Sequence, residues 1–377
     1  MMEFVWARPQ DEDALLDFIN LVFSVGGTPT DFRSLIPKVY GKGGFSANSL
    51  LARDAAGIKG VVSYTQGSLA MGNGELAYGF VGNVSAHPYL RGQGIMQTLM
   101  PRVLERLKEE GCDFTILGGQ RQRYQHFGYE LCGGRMTIHV TGRSLRHALA
   151  GRDAPAIRFT PLAEAAPGEV EQAWAMHRGG ALHCERSLAD FPVILRTWQG
   201  QTFLAHQGDE LLGYVYLLGG RVAEFRVKDA ALLPHLLSAL MTRQNLQQLE
   251  VNLRADELSA HQALFDAADS WEQGPVYMAH VFNWQRFLSV LLDFKAGMVP
   301  LMDGEAVLDI QGEGRLLIAV VGGQPRVSPA ARPADLSVTP QDALRLTTLP
   351  FQQELFPGHP FRNWFPLPFD FPDADAF

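Results

Sequence analysis

Two stretches of this sequence present the same succession of elements, and that repetition limits the fold more than any other feature. In the first, residues 4–8 read as a strand, and 11–25 as a helix with Leu15, Phe18, Ile19 and Val22 on one face. Three strand-like runs fill 49–86 (SLLARD, GIKGVVSYTQGSLA and ELAYGFVGNVSA), separated by Gly, Asn and Asp. A helix over 94–110 follows, with Ile95, Leu99, Val103, Leu104 and Leu107 as its apolar stripe and Gly111 at its end. A buried strand at 113–118, a short helical stretch at 121–127 and strands at 129–132 and 136–140 complete the first unit. Residues 141–156 read as a helix and linker. The order then returns: a strand at 157–162, helices at 169–178 and 188–199, strands at 202–207, 211–218 and 221–227, a helix at 230–244, a strand at 249–253, a helix at 257–268 and a strand at 276–283. From about 285 the texture changes to a helix, three strands joined by Gly-containing turns and a helix opening at Thr339-Pro340.

Length and composition fit this division. The chain has 377 residues, enough for two to three domains of about 150 residues. Hydrophobic residues are 46% and charged residues 19%, which excludes a disordered chain. The formal net charge is −8 with no basic run, so no nucleic-acid partner is expected. No uncharged apolar run approaches the 18 or so residues of a membrane span, and Met1-Met2-Glu3-Phe4 opens no signal peptide. The expectation is a soluble, cytoplasmic protein with no membrane partner. Cys112, Cys132 and Cys184 cannot all pair with one another, which argues against a disulfide scaffold. Among 23 Phe, several crowd the extreme C-terminus.

The most specific local signal is VGNVSAHPYLRGQGIMQTLM, residues 81–100. A strand ends at Val84-Ser85-Ala86, and Arg91-Gly92-Gln93-Gly94 leads directly into the helix. Such a turn aims several backbone N–H groups one way, and the helix N-terminus adds unpaired N–H groups and a positive dipole end. Together they form a phosphate or pyrophosphate cradle. A plain strand-to-helix turn is the alternative. Gln97 stands where a dinucleotide fingerprint has its third Gly, and no Gly-Lys-Ser/Thr follows, so neither that motif nor a P-loop is present. His183-Cys184-Glu185 has no second pair at zinc-site spacing, and no metal is expected. The sequence has no Gly-x-Ser-x-Gly elbow.

The meander, the Arg-x-x-Gly turn, the long helix, the strand and the aromatic segment RYQHFGYE resemble the GNAT superfamily of N-acetyltransferases. In that family an Arg/Gln-x-x-Gly-x-Gly/Ala turn binds the pyrophosphate of acetyl-CoA, and the preceding strand pairs with the pantetheine arm. The resemblance implies acetyl-CoA as cosubstrate, held by Val84, Ser85, Ala86, Arg91, Gly92, Gln93, Gly94, Ile95, Met96 and Gln97, with Gly119 and Gln120 beyond the next strand. Met96 stands where the family usually has Gly or Ala. A Tyr in the family's later Tyr-x-x-x-Gly-Tyr/Phe segment protonates the leaving thiolate. Here that segment is Tyr124-Gln125-His126-Phe127-Gly128-Tyr129, which implies the acid role for Tyr124, with His126 and Tyr129 behind it.

The whole chain resembles the enhanced intracellular survival (Eis) family, whose third domain resembles sterol carrier proteins. That implies an α+β fold: tandem GNAT-like domains, each a mixed central sheet flanked by helices, then a smaller sterol-carrier-like α/β domain. The expected boundaries are 1–145 (catalytic), 146–284 (degenerate) and 285–377. In the second repeat Arg226-Val227-Lys228-Asp229-Ala230 replaces the phosphate turn, without glycine and with an acid where phosphate should sit, so no CoA is expected there. Eis-like chains end in an aromatic residue whose carboxylate is proposed to act as the base in the first domain, and Asp375-Ala376-Phe377 matches that ending. A frayed end is the alternative, weakened by Phe361, Trp364, Phe365, Phe369 and Phe371, whose exposure would be costly. The implied activity is N-acetylation of a primary amine on a small molecule or lysine side chain, an aminoglycoside or polyamine included. Self-association into a homo-oligomer is a further expectation. The alternatives are a non-catalytic acyl-CoA-binding module and an apolar-ligand carrier acting through the C-terminal domain.

Overall fold

The computed structural model describes residues 1–25, 27–350 and 360–377. Its strands, in chain order, are β1 (Glu3–Trp6), β2 (Ser49–Asp54), β3 (Gly57–Met71), β4 (Gly74–Ala86), β5 (Phe114–Leu117), β6 (Glu130–Cys132), β7 (Arg135–Thr141), β8 (Ile157–Pro161), β9 (Leu182–Cys184), β10 (Gln201–Gln207), β11 (Glu210–Leu218), β12 (Arg221–Val227), β13 (Gln248–Leu253), β14 (Ser270–Gly274), β15 (Tyr277–Val281), β16 (Gly304–Ile310), β17 (Gly314–Val321), β18 (Gln324–Pro329) and β19 (Leu336–Val338). The chain divides into two compact units. The first holds residues 1–133, 275–369 and 376–377, and the second holds 134–274 and 370–375.

In the first unit the main sheet runs β1-β2-β3-β4-β5-β15-β6. The helix Ile95–Glu109 lies across it. Its Ile95, Leu99, Met100, Val103 and Leu107 pack with Leu50, Val62, Tyr64 and Val81 of β2 to β4. Each such fully buried side chain contributes about 1.5–3 kcal/mol relative to exposure, so a helix with this stripe has little choice of face. The helix Glu12–Ser24 buries Leu15, Phe18, Ile19 and Val22 as its spacing predicts, and Leu16 besides. A four-stranded sheet, β18-β17-β16-β19, also belongs to this unit, with the helix Trp284–Ala296 packed on β18. Of the tail, Phe361, Trp364, Phe365 and Phe369 are buried here. Phe369 meets Phe114 edge-on at 5.6 Å, and Trp364 Nε1 donates to the Met302 carbonyl at 2.9 Å.

The second unit's sheet runs β14-β7-β13-β12-β11-β10-β8. The two orders match strand for strand, so the repeat read from the sequence is real. One assignment changes. The strand expected at 136–140 to finish the first unit pairs with β13 and β14 of the second sheet, while β15 fills the corresponding slot between β5 and β6 of the first. Each repeat's last strand thus serves the other sheet. Period-2 alternation says which face of a strand is buried, and not which sheet supplies its partners.

The helix expected over 188–199 is also broken, into Phe191–Ile194 and a tight turn at Thr197–Gln199. The carbonyls that a longer helix would use are taken by side chains of the sheet. Thr202 Oγ1 donates to the Leu195 carbonyl at 2.9 Å, and Tyr216 Oη donates to that of Thr197 at 2.5 Å. Asp370–Asp375 is held within the second unit by two guanidinium clamps, one half-buried and one buried. Arg135 reaches Asp370 at 2.6 Å and Asp373 at 2.8 Å, and Arg186 reaches Asp375 at 2.6 Å.

Candidate active site

β4 and β5 run parallel and pair only as far as Phe80 and Ile116, yet β4 continues to Ala86. A bulge accompanies the departure. The β3 register slips between Val61, opposite Ser85, and Ser63, opposite Gly82. Asn83 sits in the slip with φ +49°, and its amide donates to the Tyr40 hydroxyl. A bulge turns a strand out of its ladder. The edge of β4 beyond Phe80 therefore offers main-chain donors and acceptors to something other than β5.

That edge leads into the glycine turn. Gly92 and Gly94 take φ of +79° and +75°, and Gly94 caps the helix Ile95–Glu109. A side chain at either position would be strained, which is the local reason for glycine. The Ile95 side chain points into the core, so the residue can serve a ligand only through its backbone N–H. Gln97 Oε1 lies 3.3 Å from where a Gly94 Cβ would stand. Gly92 and Gln93 are exposed.

A cavity of about 440 Å³ opens beside this turn, lined by Val84, Ser85, Ala86, Arg91 and Met96 together with Val22, Phe23 and Arg123. Five of the ten cradle residues named from the sequence thus share one wall. Ser85 is 7% exposed, and its Oγ is buried with no hydrogen-bond partner among the described residues. A buried hydroxyl left this way calls for a ligand group or water. An amide or carbonyl group of a bound cofactor would satisfy it. Arg91 and Arg123 supply the positive charge. Arg123 and Phe23 are not singled out from the sequence, and Val22 is read there only as a helix-face residue. The Arg next to Tyr124 in RYQHFGYE is the available signal for Arg123, whereas Phe23 lies in the helix outside the apolar face read from the sequence.

Tyr124 follows Arg123, and its ring is buried and meets Tyr129 edge-on at 6.3 Å. Gly119, with φ +127°, lets that ring lie against the main chain, and Gln120 Oε1 accepts from Arg123 Nη2 at 3.2 Å. Burial raises the Tyr124 phenol above its ordinary pKa of 10.0, while the Arg123 charge and hydrogen bond oppose the rise. The net effect keeps a proton on the oxygen at neutral pH, as an acid needs. Of the alternatives, Tyr129 is fully buried with its hydroxyl 3.1 Å from Thr115, and His126 is exposed.

Phe377 is 8% exposed, so the chain does not end in a frayed tail. Its ring lies on Gly82, where an added Cβ would come within 2.6 Å of Cδ1, and 6.1 Å from the Tyr40 ring. Tyr40 continues an aromatic row through Phe32 (6.0 Å) to Phe23 (5.0 Å further), which lines the cavity. β4 thus meets Phe377 at Gly82 and the cavity at Val84–Ala86.

The corresponding place in the second unit is built differently. β12 and β13 pair in parallel only at Arg221–Glu250 and Val222–Val251. Beyond this, Glu224 receives both Arg186 Nη atoms at 2.9 and 2.7 Å and the Tyr214 hydroxyl at 2.6 Å, with His177 at 3.5 Å. Burial alone would raise the Glu224 carboxyl, but Arg186 and His177 overcome it and hold it well below the usual range. At the turn, the Asp229 side chain accepts from Ala231 N at 2.9 Å, taking a donor that an anion would use. His183 is engaged through Nδ1 to Gly180 at 2.7 Å, and no group of three or more His, Cys, Asp or Glu is placed to hold a metal among the described residues.

Residues 6–132 match the family model described as an acetyltransferase (GNAT) domain. That stretch of the chain is thus similar to a GNAT domain. Solved structures extend the likeness to the whole fold. A GCN5-related N-acetyltransferase from Anabaena variabilis superposes with a TM-score of 0.71 at 14% identity over 100% of both chains. One from Kribbella flavida gives 0.66 at 18% identity, over 92% of this chain and 89% of that one. Eis1 from Mycobacterium abscessus gives 0.63 at 16% identity over the same shares, 92% and 89%. Among curated proteins, none matches the sequence significantly. The architecture is α+β with tandem GNAT-like folds. No helix among the described residues is long and apolar enough to cross a membrane.

Proposed function

We propose that the chain is an acetyl-CoA-dependent N-acetyltransferase that acetylates a primary amine (an aminoglycoside, polyamine or lysine-like acceptor) by direct transfer. The observation that carries this reading is the run Gly82–Ala86 of β4, which touches the terminal Phe377 at one end and the cavity with its unpartnered Ser85 hydroxyl at the other. Backbone N–H groups of Gly92 to Ile95, with Arg91 and Arg123, would hold the pyrophosphate. Ser85 and the free edge of β4 would hold the pantetheine arm. Bound acetyl-CoA supplies the acetyl group as a thioester. The Phe377 carboxylate, directly or through a water, accepts the proton of the attacking amine. Tyr124 Oη donates its proton to the departing sulfur, and Arg123 steadies the phenolate that results. The second unit, with its turn capped by Asp229 and its divergence filled by Glu224 and Arg186, binds no CoA in this reading. The sequence boundaries 1–145, 146–284 and 285–377, with β7 and β15 exchanged between the two sheets, and the sterol-carrier likeness of the last segment belong to the same proposal.

The test is turnover with acetyl-CoA against an amine panel, read as thiol release. Tyr124→Phe should lower kcat on the order of a hundredfold and leave the acetyl-CoA Kd within about twofold. An active Tyr124→Phe enzyme would remove Tyr124 from the reaction. Binding of acetyl-CoA without turnover on any amine would favour the non-catalytic reading.

A further inference from the structure

The second unit contains a larger cavity, of about 610 Å³, between the end of β8 and the broken helical run. Its walls are mainly apolar: Pro161 and Leu162 from β8 and its end, Pro192 and Val193 from the short helix, and Phe203 from β10, with Gln201 and Thr202 beside them. Arg196 is the one charged residue on the wall. It is exposed, and no carboxylate pairs with it among the described residues. A volume in the range of about 300–1,000 Å³, mainly apolar walls and a few placed polar groups are the usual attributes of a small-molecule site.

The backbone supplies a second, independent sign. Trp198 and Gln199, two and three residues beyond Arg196, both adopt left-handed φ, +58° and +59°, in a segment where neither is glycine. Strain of this kind persists only where the surroundings over-determine it, and it clusters at ligand sites. Here the surroundings are visible. The Leu195 and Thr197 carbonyls are pinned by Thr202 and Tyr216, which fixes the turn and sets Arg196 at the cavity rim.

We propose that this cavity binds a small amphipathic monocarboxylate, with its apolar body among the wall residues and its carboxylate on the Arg196 guanidinium. A planar guanidinium matches a carboxylate through two parallel hydrogen bonds. A lone cation on an apolar wall complements one negative charge and leaves a polyanion undercompensated. None of the residues assigned to acyl transfer takes part, so the site stands or falls apart from that reaction.

The experiment is equilibrium dialysis of the full chain against decanoate and, in parallel, decanol. Decanoate should bind saturably at one site per chain and about tenfold tighter than decanol. Arg196→Gln should abolish that preference while leaving decanol binding and acetyl-CoA binding unchanged. Ala163→Trp, a substitution at an exposed position on the wall, should exclude both probes. Equal affinity for the two probes, no saturable binding, or a preference that survives Arg196→Gln would overturn the proposal. So would a self-associated protein that Ala163→Trp converts to monomer and that takes up neither probe. If a variant melts early, the decanoate-against-decanol comparison on the unaltered chain decides.

Discussion

The two units diverge at the same place, where a parallel strand pair stops pairing, and they treat the gap in opposite ways. In the first, β4 leaves β5 after Phe80, and the wall beyond it keeps a buried hydroxyl without a partner, two glycines in left-handed φ and two exposed arginines. In the second, β12 leaves β13 after Val222, and the chain's own groups satisfy one another there: Arg186 with Glu224 and Asp375, Tyr214 with Glu224, Asp229 with the turn N–H. One scaffold can hold a ligand cleft or an internal salt-bridge cluster. The choice rests on a handful of side chains and not on the topology.

The largest expected effect probes the filled cleft. Arg186→Met leaves Glu224 and Asp375 buried without their cation, and losing one partner of such a cluster costs about 3–5 kcal/mol. Urea unfolding should show that loss, whereas a stability change under about 1 kcal/mol would mean the cluster is not what fills the gap.

Next comes the open cleft. Gly82→Ala places a Cβ within 2.6 Å of the Phe377 ring and must shift it. Turnover should fall on the order of a hundredfold, as a displacement of about 1 Å can bring, with the acetyl-CoA Kd retained. Unchanged turnover would free Phe377 of its role.

A smaller contrast lies in the turns. Arg91→Ala should weaken acetyl-CoA at least about tenfold, the scale of one charged hydrogen bond. Lys228→Ala, at the matching turn of the second unit and paired with Glu210 at 2.9 Å, should leave binding unchanged. Titration calorimetry reads both.

The smallest effect is in pH. His177 and His280 are held below the ordinary 6.5 chiefly by burial, so the folded chain binds fewer protons than the unfolded one. Their contribution is therefore full above about pH 6.5 and is lost as pH falls through and below that value. Stability by urea midpoint should be lower at pH 5.5 than at 7.5, and His280→Gln should flatten the difference.

Much of this was legible in the sequence because it is local. The apolar stripe of 94–110, the Gly-Gln-Gly turn and the Asp at position 229 each act within a few residues of themselves. The crowded aromatics at the end were legible through cost alone, since Phe361, Trp364 and Phe369 had to be buried somewhere. The exchange of β7 and β15 was not, because strand partners depend on sheets far apart in the chain. The break at Leu195–Thr197 was hidden for a similar reason: Thr202 and Tyr216, which capture its carbonyls, follow in later strands. Arg123 became a cavity residue only when β4 and the Glu12–Ser24 helix supplied the other walls.

The contrast between the clefts is tested most directly by the stoichiometry of acetyl-CoA binding, measured by titration calorimetry on the unaltered chain and on Gly94→Val. The account predicts one site per chain, lost in the variant because Gly94 holds a φ of +75° at the helix cap. Two sites per chain, or one site that survives Gly94→Val, would contradict it.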